Sequence, residues 1–476
     1  MIPTSTLARV ALLAATLTTT QAFADEVSVG TDQQTGVAVT IYNSDLALIR
    51  DQRKVDLKSG LNELAFIDVS AAIRPETALL TAQGGGFTVT EQNFDFDLLT
   101  PQKLLEKSVG GTIRVIRTNP TTGEDSSEEA KVLSVAQGMV VLQIGDRIET
   151  AMPGRLVFSA VPPNLRARPT LVTKALSEKA GPTTVALSYL SHGLSWRADY
   201  VASLSADEKT LDLNGLVTLT NQSGVTYKDA KLQLVAGQVN QVQEYMELQM
   251  DIQQAAGAPA ESPPAMTQEQ AFEYHLYRLS TPVTIQQNQT KQVAMMAAAG
   301  VPVSKQYLLT NAADVWNRYG YDYGESARIN ATVKLKFVND EKSQLGMPLP
   351  KGIVRVYKAD SQGEAVFVGE DSIDHTPKNE DVSLTLGQAF DITARTKQTD
   401  YERLSDRIFE NEYEIEIKNA KREVVTVDLR EHMPGEWKIL KESQAHKKLD
   451  AYTAGWLVNV PAEGSAKLSY RVRIEF

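Results

Sequence analysis

The chain has 476 residues, 42% of them hydrophobic and 22% charged, with a formal net charge of −11 and no cysteine. That length exceeds what one hydrophobic core ordinarily serves, so two to four domains are expected. The acidic balance argues against non-specific nucleic-acid binding and electrostatic docking on anionic lipid, and the lack of cysteine excludes disulfides and a cysteine-linked lipid anchor.

The first residues have the form of a secretory signal: Arg9 in a weakly basic start, an apolar run over residues 10–17, then Ala22-Phe23-Ala24 before Asp25. Cleavage is expected after Ala24. Arg9 is the one charged side chain before that point, so the mature chain would carry −12. No other segment approaches the roughly 18 consecutive apolar residues of a membrane-spanning helix. The expected location is therefore periplasmic or secreted, with the outer membrane as the alternative.

Residues 37–42, 45–55 and 62–67 read as strands separated by turn pairs, followed by residues 87–90 after Gly84-Gly85-Gly86. The three glycines precede neither Lys-Ser/Thr nor a helical pattern, so they read as a turn and not a phosphate loop. Residues 101–107 suit one or two helical turns. Short strands at 112–117, 131–135, 139–144 and 155–158 then suggest a small SH3-like barrel, interrupted by the acidic loop 118–129 and left at Pro162-Pro163 and Pro169.

The stretch 189–240 organises the chain. From Leu194 every second residue is apolar (Trp196, Ala198, Tyr200, Ala202, Leu204), which is the period of a strand with one buried face. Two more alternating runs follow at 211–220 and 231–235, giving a strand meander. Its Ser191, His192, Ser195 and Asp199 contain the letters of a nucleophilic site, but no Gly-x-Ser-x-Gly elbow accompanies them. Arg197 and Asp199 lie two apart on the polar face, which predicts an ion pair opposite a core Trp196.

Residues 241–270 show no sustained strand period and include Ala-Gly-Ala-Pro-Ala-Glu-Ser-Pro-Pro-Ala, so they read as a short flexible or helical linker, with Met246, Leu248 and Met250 as a patch suited to a partner. Strand texture returns at 273–279, 290–294, 331–337, 351–358 and 365–368. The last third alternates most cleanly: Tyr413, Ile415 and Ile417 against Glu412, Glu414, Glu416 and Lys418; then Val425, Val427, Leu429; Trp456, Val458, Val460; and Leu468 to Phe476. Apolar inside and charged outside is the habit of antiparallel sandwich sheets. The run ending at Phe476 also resembles the closing strand of an outer-membrane barrel, but the preceding strands lack the repeated length of about ten residues that such a barrel needs.

Several motifs carry a family resemblance: Gly-Leu-Ser-Trp-Arg-Ala-Asp-Tyr at 193–200, Thr-Leu-Thr-Asn-Gln-Ser-Gly at 218–224, Leu-Pro-Lys-Gly-Ile-Val-Arg-Val-Tyr at 349–357, Gly-Glu-Asp-Ser-Ile-Asp-His-Thr-Pro at 369–377 and Lys-Gln-Thr-Asp-Tyr at 397–401. They resemble the bacterial family called domain of unknown function 4139, and residues 40–49 (Thr-Ile-Tyr-Asn-Ser-Asp-Leu-Ala-Leu-Ile) are similar to the leader region of that architecture. Taken together, the similarity is read as spanning nearly the whole mature chain. Mucoidy-inhibitor-like proteins are similar over the C-terminal module but carry a coiled coil, for which no heptad pattern is visible here. The resemblance implies a β-rich envelope protein without an assigned activity or catalytic residues.

Metal chemistry has one candidate cluster, Asp371, Asp374 and His375, where carboxylates suit a hard cation, although no EF-hand pattern is present and a turn between strands explains the letters. No cofactor motif is found. The expected architecture is all-β: a signal at 1–24, an N-terminal antiparallel β-sandwich over 25–100 with the small barrel inserted at 101–161, a return segment at 162–180, and a C-terminal sandwich over 181–476. The expected role is non-enzymatic binding or scaffolding of a protein or other envelope component, without nucleic acid. A metal-dependent hydrolase and an outer-membrane β-barrel are the alternatives.

Overall fold

A computed structural model describes residues 26–476 except 96, 137, 163–164, 238–266, 272–273 and 316–324. The expected signal and the Met246, Leu248 and Met250 patch lie outside the described residues. Most of the stretch expected to be irregular does too, but its end forms a strand, Thr267–Ala271, paired antiparallel with Tyr274–Arg278. Strands dominate, and one α-helix, Pro101–Lys107, occurs among the described residues, its first turn closed by the Thr100 hydroxyl accepting from the Lys103 N–H. The chain is all-β, built of several sheets that each follow an open path. No described helix is long and apolar enough to cross a membrane.

The chain divides into two compact units: Met1–Gly36 with Arg50–Tyr189, and Val37–Ile49 with Leu190–Phe476. In the first unit, Gly60–Ile67 runs parallel to Glu26–Val29 and antiparallel to Thr170–Ser177, which pairs in turn with Phe87–Asp95. Arg53 is fully buried there. Its guanidinium donates to Asp51 (2.7 and 3.0 Å) and to the carbonyls of Val29 (2.6 Å) and Ile67 (2.7 Å), so each of its three buried nitrogens finds an acceptor.

The same unit holds a five-stranded sheet in which Thr112–Thr118 pairs with both Asp125–Ala136 and Arg155–Val157, while Met139–Ile144 and Arg147–Glu149 extend the other side. Its core joins Leu105 of the helix to Ile113, Val115, Val132, Leu142 and Ile144. This is the block expected as a small barrel. Among the described residues its path is open, from Arg147–Glu149 at one edge to Arg155–Val157 at the other.

In the second unit, Leu194–Leu204 sits centrally in a five-stranded sheet, antiparallel to Thr210–Asn221 and parallel to Gly352–Ala359. The inward phase read from the sequence is the buried one: Leu194, Trp196, Ala198, Tyr200 and Ala202 are at most 3% exposed. A nine-stranded sheet follows, running in order through Glu436–Glu442, Gly464–Glu475, Ile408–Asn419, Asp381–Arg403, Ile329–Val338, Ser304–Thr310, Val425–His432, Thr453–Val460 and Lys447–Asp450. The terminal run Leu468 to Ile474 therefore lies within this sheet, between Ile408–Asn419 and Glu436–Glu442.

Asp381–Arg403 is long enough to serve twice, pairing first with Ile329–Val338 and then with Ile408–Asn419. Bulges at Asn330/Thr332 and Val333/Lys334 bend the sheet there. The bend brings strands from the two ends of the order face to face: the Trp456 and Tyr470 rings stack with centroids 4.9 Å apart, and both belong to one core with Ile415, Ile417, Val427 and Val472. Each such apolar side chain contributes about 1.5–3 kcal/mol on burial. The outward phase forms an ion ladder, with Arg471 and Arg473 on Glu410 and Lys467 on Glu414.

Candidate functional site

The residues singled out from the sequence are spread over the second unit. Arg197 Nε meets Asp199 Oδ2 at 3.1 Å, opposite a buried Trp196, and Asp199 additionally accepts from Arg355 (2.9 Å) and the Thr218 hydroxyl (2.5 Å). Burial pushes the Asp199 carboxyl up, but the donors from Thr218, Arg355 and Arg197 outweigh it and hold the group below its ordinary value. Ser191 donates to the carbonyl of its neighbour His192, and His192 Nδ1 lies 2.8 Å from the Asp45 carbonyl. Ser191 and His192 are thus engaged by backbone carbonyls and Asp199 by its three side-chain donors.

Asp371 belongs to the strand Ala365–Ile373, across from Val354, so the turn expected at 370–375 begins only after Ile373. Its carboxylate accepts from the Thr385 N–H (2.7 Å), which anchors this strand to its neighbour in sequence. Asp374 pairs with the Lys351 ammonium at 3.0 Å, and His375 Nδ1 accepts from the Lys351 N–H at 3.1 Å. Burial, followed by the Lys351 charge, lowers the His375 pKa against the pull of Asp374. Asp374 and His375 meet at Lys351 while Asp371 faces Thr385, and no group of three or more His, Asp or Glu side chains gathers for a cation among the described residues.

A different place stands out in the nine-stranded sheet. Where its two ends approach, a depression of about 580 Å³ is walled by Trp437, Tyr452 and Phe476, with Glu436, Glu475 and Lys448 at its rim. Gly435 makes the turn into Glu436–Glu442: its φ is +63°, and a Cβ there would stand 2.3 Å from the Glu475 carbonyl oxygen, so only glycine fits without a shift. Trp437 faces inward because Glu436–Glu442 alternates as a strand. Its Nε1 donates to the Ala451 carbonyl at 2.8 Å, which fixes the ring plane. The Lys448 ammonium sits 4.7 Å from the Trp437 ring centroid. Tyr452 is 52% and Phe476 37% exposed, so aromatic surface opens to solvent.

Behind Trp437 an aromatic chain runs into the core. His446 lies 5.7 Å from Trp437 and 6.0 Å from Trp456, and Glu442 joins them by accepting from Trp456 Nε1 (3.1 Å) and facing His446 Nδ1 (3.0 Å). Deeper still is Glu431, fully buried, with Oε1 accepting from the Ala313 N–H at 2.9 Å and Oε2 without a hydrogen-bond partner among the described residues. Burial pushes its pKa up to about 8, opposed by the Ala313 and Ala312 amides and reinforced by Asp314.

Sequence reading placed Trp456 and Phe476 only as strand residues and passed over Glu431, Trp437, Lys448 and Tyr452. The alternation Val425, Val427, Leu429 does place Glu431 on the inward phase, a signal open to inspection. Trp437, Lys448 and Tyr452 lie on strand ends and turns without a motif.

The fold and this open, aromatic-lined depression define a multi-sheet all-β protein with a surface site on its C-terminal sheet. The chain belongs to the family described as Domain of unknown function (DUF4139), whose model matches residues 185–476. The match begins at Val185, so the similar motif at residues 40–49 lies outside it, and the site lies within it. No curated protein matches the chain.

Proposed function

We propose that this is a non-enzymatic binding or scaffolding protein of the cell envelope, exported by its N-terminal segment to the periplasm or beyond. The observation that carries the binding role is the depression at Trp437, Tyr452 and Phe476, where aromatic surface stays open to solvent beside charged groups. Concave aromatic surface with a few polar groups is what small-ligand and partner sites use. The export reading rests on Arg9, the apolar run and Ala22-Phe23-Ala24.

Crosslinking in intact cells followed by pull-down tests the role. A defined set of envelope components should be recovered with the wild-type chain and depleted with Trp437→Phe and Tyr452→Ala together. Recovery of the same set from both chains, or of no stable partner, would overturn it. Fractionation of the same cells tests the location, since a cytoplasmic pool alone is incompatible with export.

A further inference from the structure

We infer that the depression recognises an organic ammonium group, and that Lys448 is its built-in competitor. This deepens the binding role and rests on it. Three observations on the same few residues point to a cation.

The Lys448 ammonium already lies 4.7 Å from the Trp437 ring centroid, inside the roughly 6 Å reach within which an aromatic quadrupole attracts a positive charge. The indole is held ready for that contact by its hydrogen bond to the Ala451 carbonyl and by His446 beside it.

Glu436 and Glu475 stand directly opposite each other in the antiparallel register. Like charges at directly opposed positions destabilise a sheet. Two other carboxylates of this sheet, also set among charged neighbours, are neutralised, Glu410 by Arg471 and Arg473 and Glu414 by Lys467. The Glu436 and Glu475 carboxylates have no hydrogen-bond or ion-pair partner among the described residues, so an uncompensated, directly opposed acidic pair borders the aromatic walls.

Tyr452 and Phe476 supply further ring surface, and the volume of about 580 Å³ is in the range of small-molecule sites. Aromatic faces and carboxylates around one opening are complementary to an alkylammonium, which offers apolar surface and positive charge together. A neutral sugar would use the rings and leave the opposed carboxylates uncompensated. An anion would be repelled by them.

The test is calorimetric titration of the purified full-length protein with tetramethylammonium chloride at low ionic strength, with neopentyl alcohol as the neutral isostere. Saturable binding of the cation and none of the alcohol is expected. Lys448→Met should tighten binding roughly five- to tenfold by removing the competitor, and Trp437→Phe should weaken it several-fold. Glu436→Gln with Glu475→Gln, both on exposed positions, should weaken it by about tenfold, with a thermal midpoint no lower than that of the wild type as the control for folding. Absence of saturation in both wild type and Lys448→Met would overturn the inference. So would equal binding of the alcohol, or unchanged affinity in the double Gln variant. Those results leave the crosslinking outcome untouched, so failure of the ligand class is separable from failure of the binding role.

Discussion

Glu431→Gln should raise the stability of the C-terminal unit at neutral pH while changing little in mild acid. The buried carboxyl holds its proton to about pH 8, whereas in the unfolded chain it titrates at the ordinary 4.5. The folded state therefore binds the extra proton between those values. The stabilisation is fully present below pH 4.5, falls as pH rises and is exhausted above about 8. Linkage over that interval puts the loss at about 1 kcal/mol by pH 5 and about 4 kcal/mol by pH 7.5. Gln keeps the acceptor for the Ala313 N–H and cannot ionise, so the advantage of the variant should grow by about 3 kcal/mol between pH 5 and pH 7.5. Urea denaturation followed by tryptophan fluorescence, run on both proteins at each pH, measures the difference directly, and other titrating groups cancel in the subtraction. Parallel profiles, with a constant offset across that range, would refute the argument that burial keeps Glu431 protonated.

Three further outcomes follow from individual contacts. Arg53→Ala should cost about 3–5 kcal/mol in chemical denaturation, because it strands Asp51 and two carbonyls in the core of the N-terminal unit; a loss below about 1 kcal/mol would show the pair to be dispensable. Asp199 is held below its ordinary carboxyl value, so its stabilisation is present above that value and is lost as pH falls through the depressed one. Asp199→Asn should therefore be destabilised near neutrality and show a flatter acid limb than wild type below about pH 4 in acid unfolding monitored by circular dichroism. Gly193→Ala should lower the thermal midpoint, at a cost of about 1–3 kcal/mol or more, since φ is +81° and the new Cβ would stand 2.8 Å from Ser223 backbone atoms; an unchanged midpoint in calorimetry would contradict the close approach.

Alternation made much of the fold legible. Tyr413, Ile415 and Ile417 and the run Leu468 to Ile474 fall on the buried face of adjacent strands, paired Tyr413 to Tyr470 and Ile415 to Leu468. The Arg197–Asp199 pair was readable for the same reason, since residues two apart share a strand face. The strand Asp381–Arg403 was not readable: it changes partner midway, carries Gly387 at a φ of +136° and exposes Phe390, so no single alternation runs its length. The acidic letters near Asp371 suggested a cluster because they are neighbours in sequence, yet Asp371 is held within the strand Ala365–Ile373 and Asp374 lies beyond its end, so the two have different partners.

Local patterning was enough for the all-β class and, along most strands, for which side chains face inward, because a two-residue period is a local property of an extended backbone, and short motifs were enough for the family. Tertiary structure alone decided which faces meet. Trp437, Lys448 and Phe476 come from three strand regions that the bend of the nine-stranded sheet brings together, and Glu431 became a proton-holding group only when the core closed around it. Both depend on desolvation and on contacts between residues distant along the chain, and neither quantity exists until the sheet has folded over itself.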